Sequence, residues 1–313
     1  MHVLILGAAG MLGRKLTARL LADGHVGGRP IDRLTLADVV EPTGAPGPVE
    51  PVATDLAAPG AAERLLADRP ELIFHLAAVV SGEAEADFGK GYRVNLDGTR
   101  ALLDAVHGYR PRVVFTSSIA VYGPPFPDPI PEDFQHTPLT SYGTQKAIGE
   151  LLLNDYGRRG LLDGIGLRLP TVCIRPGRPN RAASGFFSSI LREPLAGQEA
   201  VLPVPDTVRH WFASPRAAVG FLVRAATLEG RWGTLSMPGL SATVGEQIEA
   251  LRRAAGSQAV DLIRREPDEA ILRIVETWAP ALDASRALRL GFTAETTVDE
   301  IIRVHLEDEL GAA

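Results

Sequence analysis

The sequence predicts an α/β fold in which a doubly wound parallel sheet is followed by a smaller C-terminal α/β part. Short apolar runs alternate with helical patterns over residues 1–175 of the 313-residue chain, which is typical of a parallel sheet covered by helices. The runs are apolar almost without interruption, as expected of strands that are buried on both faces. After Arg175, turns and separate helical patterns replace this alternation.

The predicted elements follow one another as strand, helix, strand. The candidate strands are His2–Leu6, Leu34–Val39, Val49–Ala53, Leu72–Leu76, Val113–Thr116 and Gly164–Leu169. A leucine at every fourth position from Leu12 to Leu20 predicts the first helix. Further helices are predicted over Asn95–His107, Tyr142–Tyr156, Gly185–Arg192, Ala213–Leu228, Val244–Ala255 and Val298–Leu310.

Composition argues against several classes of partner. The formal net charge is −6 at pH 7 and no dense basic stripe occurs, so no nucleic acid is expected. The single cysteine, Cys173, allows neither an internal disulfide nor a cysteine metal cluster, so we expect no metal and a reducing, cytoplasmic location. No stretch of 18 or more apolar residues is present, which argues against a membrane partner.

A glycine trio, Gly7, Gly10 and Gly13, follows the first predicted strand and opens the first helix. Gly7 allows a tight turn, Gly10 lets backbone amides approach a pyrophosphate, and Gly13 lets the helix pack closely on the strand. An ordinary strand–helix loop is the alternative. The strand before the trio and the leucine stripe after it favour dinucleotide binding. Met11 and Leu12 belong to the same predicted cofactor loop.

Asp38 lies at the end of the second predicted strand, where a carboxylate can accept hydrogen bonds from the adenosine ribose hydroxyls and repels a 2′-phosphate. Residues 39–41 include no arginine that could bind such a phosphate. NAD is therefore favoured over NADP, and a solvated loop aspartate is the alternative. Asp55 and Leu56, after the third strand, are further candidates for contact with the adenine.

Tyr142 and Lys146 are four residues apart in a predicted helix and therefore share one face. Only three of the 32 basic residues are lysines, so a lysine at this position is unusual for this chain. A cation held near a phenol stabilises the phenolate and lowers the tyrosine pKa towards the range that proton transfer needs. Alone, this spacing also occurs by chance.

These features together resemble the extended short-chain dehydrogenases/reductases, of the NAD-dependent epimerase/dehydratase family. The spacing of the glycine trio is similar to that of this family and differs from the Gly-x-Gly-x-x-Gly of other dehydrogenases. The segments that carry the resemblance lie within residues 1–175, in the order in which the family has them: Gly7–Gly13, His75–Ala78, Val94–Thr99, Phe115–Gly123 and Ser141–Lys146.

The resemblance implies a Rossmann fold with NAD as cofactor and a catalytic set formed by Ser118, Tyr142 and Lys146. Tyr142, as phenolate, would remove the hydroxyl proton of the substrate. Lys146 would lower the pKa of Tyr142 and bind the nicotinamide ribose, and Ser118 would hold the reacting oxygen. A strand-end cap is the alternative role of Ser118. Strand alternation points its neighbour Ser117 to the opposite face.

Further cofactor contacts are implied in the same way. The segment expected to close over the cofactor is formed by Leu76, Ala77 and Ala78. Pro170 is expected to contact the cofactor after the last strand of the sheet. Asn95 is expected to organise the site, and a helix N-cap is an alternative that is compatible with this role. His75 is expected to be packed structure rather than a catalyst.

A narrower resemblance favours oxidation of a small sugar acid. The chain is similar to one branch of the family in three segments: Arg168–Asn180, Val208–Pro215 and Met237–Gly245. Phe212–Pro215 stands where many relatives carry a sequence of the His-Val-Asp-Asp type, which argues against a sugar-nucleotide epimerase. Ile119 and Ala120 follow Ser118 where a dehydratase would need an acid, so elimination is not expected.

The carboxylate of a sugar acid requires arginine or several neutral donors. The candidate substrate-binding arginines are Arg175, Arg181 and Arg209. The candidate neutral donors are Ser81, Ser118 and Thr171. In a chain with 29 arginines, any single one is more often a solvated surface residue, so the residues alone do not choose among them.

Two alternatives stay open at this point: a sugar-nucleotide epimerase, and a regulator that binds NAD without turnover. The regulator is disfavoured because such proteins usually lack the tyrosine or the lysine. The resemblance further implies a homodimer formed through the helices Asn95–His107 and Tyr142–Tyr156. We expect residues 1–175 to form the NAD-binding domain, joined by part of 207–230, and 176–313 to form the mainly substrate-binding part.

Overall fold

The computed structural model of the chain describes residues 1–43, 47–106, 108–177, 183–230 and 232–311. Contacts between Cα atoms divide the chain into two compact units. Unit 1 comprises Met1–Val121, Thr140–Arg168 and Val219–Leu235, and unit 2 comprises Tyr122–Leu139, Leu169–Ala218 and Ser236–Ala313. The functional division proposed at residue 175, into a cofactor part and a substrate part, stays a prediction.

The elements of the described residues are given in chain order. The strands are β1 (His2–Leu6), β2 (His25–Val26), β3 (Arg29–Pro30), β4 (Arg33–Asp38), β5 (Val49–Ala53), β6 (Leu72–His75), β7 (Arg112–Ser118), β8 (Asp163–Leu169), β9 (Thr171–Val172), β10 (Ala200–Leu202), β11 (Arg209–Ala213), β12 (Gly233–Ser236), β13 (Leu240–Thr243) and β14 (Ile263–Arg265). The helices are α1 (Met11–Asp23), α2 (Ala61–Leu65), α3 (Ser81–Ala86), α4 (Phe88–Tyr92), α5 (Thr99–Ala105), α6 (Ser141–Arg158), α7 (Gly185–Leu195), α8 (Pro215–Thr227), α9 (Val244–Ala255), α10 (Ser257–Val260), α11 (Glu269–Val275), α12 (Ser285–Arg289) and α13 (Val298–Glu309), with a π-helical turn at Arg93–Gly98 and a 3₁₀ turn at Ile119–Val121.

The main sheet has seven strands in the order β12-β8-β7-β6-β1-β4-β5. Neighbours from β5 to β7 run parallel. Counted from β1, the strand order reverses between β4 on one side and β6 on the other, which is the doubly wound order of a Rossmann fold. The predicted fold class is confirmed. A cofactor is expected beyond the carboxyl ends of β1 and β6, where this reversal leaves a crevice.

The six predicted strands are present, and the first and third have the predicted bounds. Strand β7 runs to Ser118 rather than ending at Thr116, so the serine is the last residue of a buried strand. The helix predicted to start at Asn95 begins instead with the π-helical turn, which places Asn95 inside the helix. The N-cap role of Asn95 is therefore wrong, and the predicted end at His107 lies outside the described residues.

Unit 2 has its own small sheet and apolar core. Strand β11 pairs parallel with β9 and antiparallel with β13. Buried side chains of α7, α9 and α13 pack with Phe212 and Cys173 in one cluster. Within the described ranges, no helix combines the length and the apolar character that a membrane crossing needs.

Helix α6 carries the predicted tyrosine–lysine pair and packs against β7 in unit 1. Gly149 makes this packing close. A Cβ built at Gly149 would lie 2.7 Å from Cζ of Phe115, whose ring is buried. The absence of a side chain at this one position therefore sets how near the helix lies to the strand that ends in Ser118.

We predict that Gly149→Ala destabilises the protein, because the added methyl group overlaps the buried Phe115 ring. Overpacking of this kind costs about 1–3 kcal/mol in the free energy of unfolding. The matched control is Gly157→Ala on the same helix, whose Cβ would lie 4.0 Å from Leu162; it should be neutral or stabilising by up to about 1 kcal/mol. Denaturant unfolding measures both variants, and equal stability would contradict the prediction.

Candidate active site

The glycine trio forms a compact turn at the carboxyl end of β1. Gly7 has a φ of +85°, and a Cβ there would lie 2.7 Å from the backbone nitrogen of Ala77. A Cβ at Gly13 would overlap the Gly7 carbonyl oxygen and lie 2.6 Å from Cα of Ala8. Gly7 and Gly13 are thus needed for contacts within the protein itself. A Cβ at Gly10 would meet only the Gly7 oxygen, at 3.2 Å.

The backbone amides of the turn are mostly engaged within the protein. Those of Gly7 and Ala8 donate to the carbonyl oxygen of Ala37, at 2.9 and 3.2 Å, and that of Gly10 donates to Gly7. Helix α1 begins directly afterwards, with Gly10 as an N-cap that has no side chain to occupy the first-turn amides. Such amides have no partner inside the helix and favour an anion. The amides at Met11 and Leu12 are therefore best placed for a pyrophosphate.

Asp38 lies at the end of β4, and its carboxylate holds the glycine turn. One oxygen accepts a hydrogen bond from the backbone amide of Ala9 at 2.9 Å, and the other accepts one from Val39 at 2.7 Å. A carboxylate can accept about four hydrogen bonds. The amide of Val40 lies at 3.5 Å from the second oxygen, so the carboxylate keeps capacity for a further donor, and ribose binding by Asp38 stays a prediction.

Asp55 and Leu56, the candidates for adenine contact, are engaged elsewhere in unit 1. The Asp55 carboxylate accepts hydrogen bonds from the guanidinium of Arg93 at 2.6 Å and from the amide of Ala57 at 3.0 Å. The Arg93 hydrogen bond holds the pKa of Asp55 below its usual range. The Leu56 side chain is buried in the apolar core. Adenine binding by this pair stays a prediction.

The segment after β6 is fixed by a buried amide network. The Asn95 side chain accepts a hydrogen bond from the amide of Val79 at 2.7 Å and donates to the Val79 carbonyl at 3.0 Å. It also donates to the side-chain oxygen of Gln145 on α6 at 2.7 Å. Asn95 therefore fixes Val79, which directly follows Leu76, Ala77 and Ala78, and its role in organising the site stays a prediction.

His75, at the end of β6, is packed structure, as the sequence predicts. It is fully buried, with Nε2 placed 2.8 Å from the hydroxyl of Thr99. Burial, with a smaller contribution from Lys146, lowers the pKa of His75 to about 3. The ring is neutral at physiological pH and adds no charge near the lysine.

The structure brings Tyr142 and Lys146 together on the face of α6 that contacts β7. The lysine Nζ lies 5.7 Å from the centroid of the tyrosine ring and 4.9 Å from that of Phe115. It donates a hydrogen bond to the backbone oxygen of Thr116 at 2.8 Å. Burial lowers the pKa of Lys146 to about 8, while the Glu150 carboxylate raises it. The ammonium form thus still predominates at pH 7.

Ser118 ends β7, and Ser117 points into the protein, as strand alternation predicts. The Ser118 hydroxyl oxygen accepts a hydrogen bond from the amide of Ala120 at 3.2 Å, which is the strand-end cap that the sequence offers as an alternative role. As an acceptor there, Ser118 keeps its own proton for donation. The buried hydroxyl of Ser117 donates to the carboxylate of Glu150.

The remaining candidates lie in different surroundings. Ser81 is the half-buried first residue of α3 in unit 1. In unit 2, Thr171 lies 2.6 Å from the buried ring of His210, and Pro170 is buried. Burial lowers the pKa of His210 to about 3, so its ring is neutral.

Two of the candidate arginines of unit 2 have protein partners. Arg175 donates to the carbonyl of Val172 at 3.0 Å and to the hydroxyl of Ser184 at 2.5 Å. The exposed Arg209 forms an ion pair with Glu246 at 3.4 Å. Arg181 lies outside the described residues. Carboxylate binding by these arginines stays a prediction.

One group beside the site was not found from the sequence. Glu150 is four residues after Lys146 and is buried with Arg168 of β8, at an N–O distance of 2.8 Å. Tyr142, Lys146 and Glu150 follow one another at four-residue spacing, and this repeat could have indicated that the carboxylate lies on the same helix face. Its partner lies 18 residues away in the sequence, and no local pattern connects them.

The residues of unit 1 fit the predicted dinucleotide. The turn at Gly7 and Gly13 leaves no space for a side chain, the N-terminus of α1 is uncapped, and Asp38 lies at the end of the adjacent strand. These features lie at the reversal of strand order, where the Rossmann fold binds its ligands.

Comparison with known proteins identifies the relatives of this chain. The model of the NAD dependent epimerase/dehydratase family matches residues 3–214. D-erythronate dehydrogenase of Cupriavidus necator is 50% identical over 98% of this chain and 98% of its own length. D-erythronate dehydrogenase of Haemophilus influenzae is 41% identical over 99% of this chain and 100% of its own length.

A solved structure is also similar over the whole chain. The crystal structure described as the nucleoside-diphosphate-sugar epimerase from Agrobacterium tumefaciens is 65% identical, with a TM-score of 0.96 over 100% of this chain and 95% of that one. The resemblance inferred from the motifs is confirmed, together with NAD as cofactor and oxidoreductase chemistry on a CH–OH group. The assigned site residues stay predictions.

We predict that Gly10→Ala and Gly13→Ala differ in their effect on NAD. Gly13→Ala should lower both the free energy of unfolding and the NAD affinity, because its methyl group overlaps the backbone of the turn. Gly10→Ala should lower stability less than Gly13→Ala, because its methyl group meets the Gly7 oxygen at 3.2 Å without overlapping it. It should weaken NAD binding by about tenfold or more, because the methyl group meets the pyrophosphate. Calorimetric titration and thermal unfolding of the free protein measure the two effects. Wild-type NAD affinity of Gly10→Ala would contradict the assignment.

Proposed function

Because the chain belongs to the NAD dependent epimerase/dehydratase family, we propose that it is an NAD-dependent dehydrogenase of a small sugar acid. We further propose that its substrate is D-erythronate, which it oxidises to 2-oxo-D-erythronate. The observation that carries the proposal is the full-length similarity to two D-erythronate dehydrogenases, at 50% and 41% identity. The half-buried Tyr142 and the buried Lys146, on one face of α6, support the same chemistry.

The proposed chemistry separates a hydroxyl proton from a hydride. NAD, when bound, supplies the acceptor of the hydride that leaves the carbinol carbon. Tyr142, as phenolate, takes the hydroxyl proton, so that a carbonyl group forms on the substrate. Ser118 donates a hydrogen bond to the reacting oxygen, which carries increasing negative charge as the proton leaves.

Lys146 stabilises the phenolate of Tyr142 electrostatically in this mechanism. Its ammonium group is buried and lies on the same helix face as Tyr142. A buried cation stabilises a nearby phenolate more strongly than an exposed one, because solvent screening is weaker. The hydrogen bond to the Thr116 carbonyl uses one of its three protons. Two protons remain for the phenol and for a ribose hydroxyl.

A sugar-nucleotide epimerase is the second candidate, and one observation favours it: the 65% identical structure carries an epimerase description. The segment Phe212–Pro215 argues against this candidate, since it replaces the sequence that many epimerases have there. The two functions differ in stoichiometry. A dehydrogenase releases reduced cofactor with each turnover, whereas an epimerase returns the hydride to its substrate.

We predict that the purified protein reduces NAD with a higher kcat/KM for D-erythronate than for the other four-carbon sugar acids. NADP should be a poor substitute, because Asp38 repels its 2′-phosphate. Formation of NADH is followed by its absorbance. The same protein should not interconvert uridine diphosphate sugars. Absence of NADH formation with every four-carbon sugar acid would overturn the substrate assignment, and epimerisation of a nucleotide sugar would favour the second candidate.

We predict that Tyr142→Phe lowers kcat by about 10²–10⁴-fold, the usual contribution of general acid–base catalysis. NAD affinity should stay close to that of the wild type, because the ring is retained. Tyr156→Phe is the control, since it makes the same change on the same helix at an exposed hydroxyl that hydrogen-bonds Asp104. Steady-state kinetics and NAD titration separate the effects. Full kcat in Tyr142→Phe would exclude its role in proton transfer.

A further inference from the structure

A buried polar cluster in unit 1 lies directly behind the proposed catalytic residues. It consists of Ser117 on β7, Glu150 on α6 and Arg168 on β8, all of which are buried. Arg168 donates to both oxygens of the Glu150 carboxylate, through Nε at 3.1 and 3.2 Å and through Nη2 at 2.8 Å. Ser117 donates its hydroxyl proton to the same carboxylate.

This cluster continues the catalytic face of α6 by one further turn. Tyr142, Lys146 and Glu150 follow one another at four-residue spacing, so their side chains lie along one side of the helix. The helix is tied to β7 at two successive residues: Lys146 donates to the carbonyl of Thr116, and Ser117 donates to Glu150. The next residue of that strand is the proposed catalytic serine.

We propose that Glu150 is a positioning residue of this dehydrogenase: held by Arg168, it fixes the end of β7 through Ser117 and keeps a negative charge beside Lys146. The proposal rests on the proposed function, because it assigns Glu150 a role in the same reaction. Glu150 acts through Ser117 and Lys146, with no contact to substrate of its own.

The electrostatic part follows from the groups that face Lys146. On its own helix these are Tyr142 and Glu150, on β6 the neutral His75, and on β8 Arg168, which lies beyond Glu150. Glu150 is the group in this set that favours the charged lysine, whereas burial disfavours it. Loss of the carboxylate would also remove the negative charge that now lies between the Arg168 cation and Lys146. Both changes would make Lys146 lose its proton at lower pH.

The positional part follows from the pairing of Ser117. Its hydrogen bond joins strand to helix one residue before Ser118, so it restricts how far the end of β7 can move relative to Tyr142. Small displacements of reacting groups lower turnover strongly; a shift of 1 Å can cost about 10²-fold. If Glu150 only stabilised the fold, removal of the hydrogen bond from Ser117 would not lower kcat in this way.

The rarity of lysine makes a direct test possible. The chain has only three lysines, Lys15, Lys90 and Lys146, so protein labelled with ¹³C at the lysine ε carbon gives three signals. Lys15→Arg and Lys90→Arg assign them. We expect Lys146 in the wild type to titrate near pH 8, and Glu150→Gln to lower that midpoint by about one unit or more. An unchanged midpoint would overturn the electrostatic part.

The control is Asp155→Asn, which removes one carboxylate from the same helix at an exposed ion pair with Arg158. It should leave the Lys146 midpoint and kcat unchanged. Ser117→Ala tests the positional part, since it keeps the ion pair. It should lower kcat by about tenfold or more with the Lys146 midpoint unmoved. Wild-type kcat in Ser117→Ala would overturn this part.

A neutral replacement separates positioning from folding, in case Glu150→Gln does not fold. The double variant Glu150→Leu with Arg168→Met removes both charges, and apolar pairs of similar volume often restore stability. We expect its thermal stability to recover while its Lys146 midpoint stays low and its kcat stays reduced. Recovery of wild-type turnover would show that the pair is only structural. The lysine titration needs no substrate, so it tests Glu150 even if D-erythronate proves not to be oxidised.

Discussion

The close contact between helix α6 and strand β7 is the constraint on which the catalytic part of unit 1 depends. It is possible because Gly149 has no side chain to meet the buried Phe115 ring. It is fixed by the hydrogen bond from Lys146 to the Thr116 carbonyl. The same contact buries the ammonium group, which lowers its pKa, and aligns the helix face with the strand end at Ser118. Packing and electrostatics are therefore set together.

In the glycine turn of unit 1, most backbone amides are hydrogen-bonded within the protein. The amides of Gly7, Ala8, Ala9 and Gly10 donate to groups of the protein, which leaves the amides in the first turn of α1 as the anion site of this described turn. Asp38 accepts the amide of Ala9 and also offers lone pairs to a ribose. Asp38, which we propose selects NAD over NADP, thus also shapes the turn, so we expect a substitution there to alter the phosphate site as well.

The sequence predicts well what depends on local pattern. The strands, the glycine turn and the spacing of Tyr142 and Lys146 follow from apolar periodicity and from residue types with few backbone choices. Contacts between distant residues leave no such signal. The pairing of Asp55 with Arg93 joins residues 38 positions apart, and the burial of Glu150 depends on strand β8. The N-cap that the sequence offers as an alternative for Asn95 is wrong because a π-helical turn, Arg93–Gly98, places Asn95 inside the helix.

The choice of lysine in an arginine-rich chain has a physical reason at this position. An arginine would bring a planar group with five protons to satisfy, and its charge would be nearly independent of pH. The ammonium of Lys146 needs fewer partners in a buried site and has a pKa near 8. Its charge is then sensitive to the neighbouring carboxylate. An arginine lies beyond the neighbouring carboxylate instead. Arg168 holds Glu150, and Glu150 favours the protonated lysine that the proposed phenolate of Tyr142 requires.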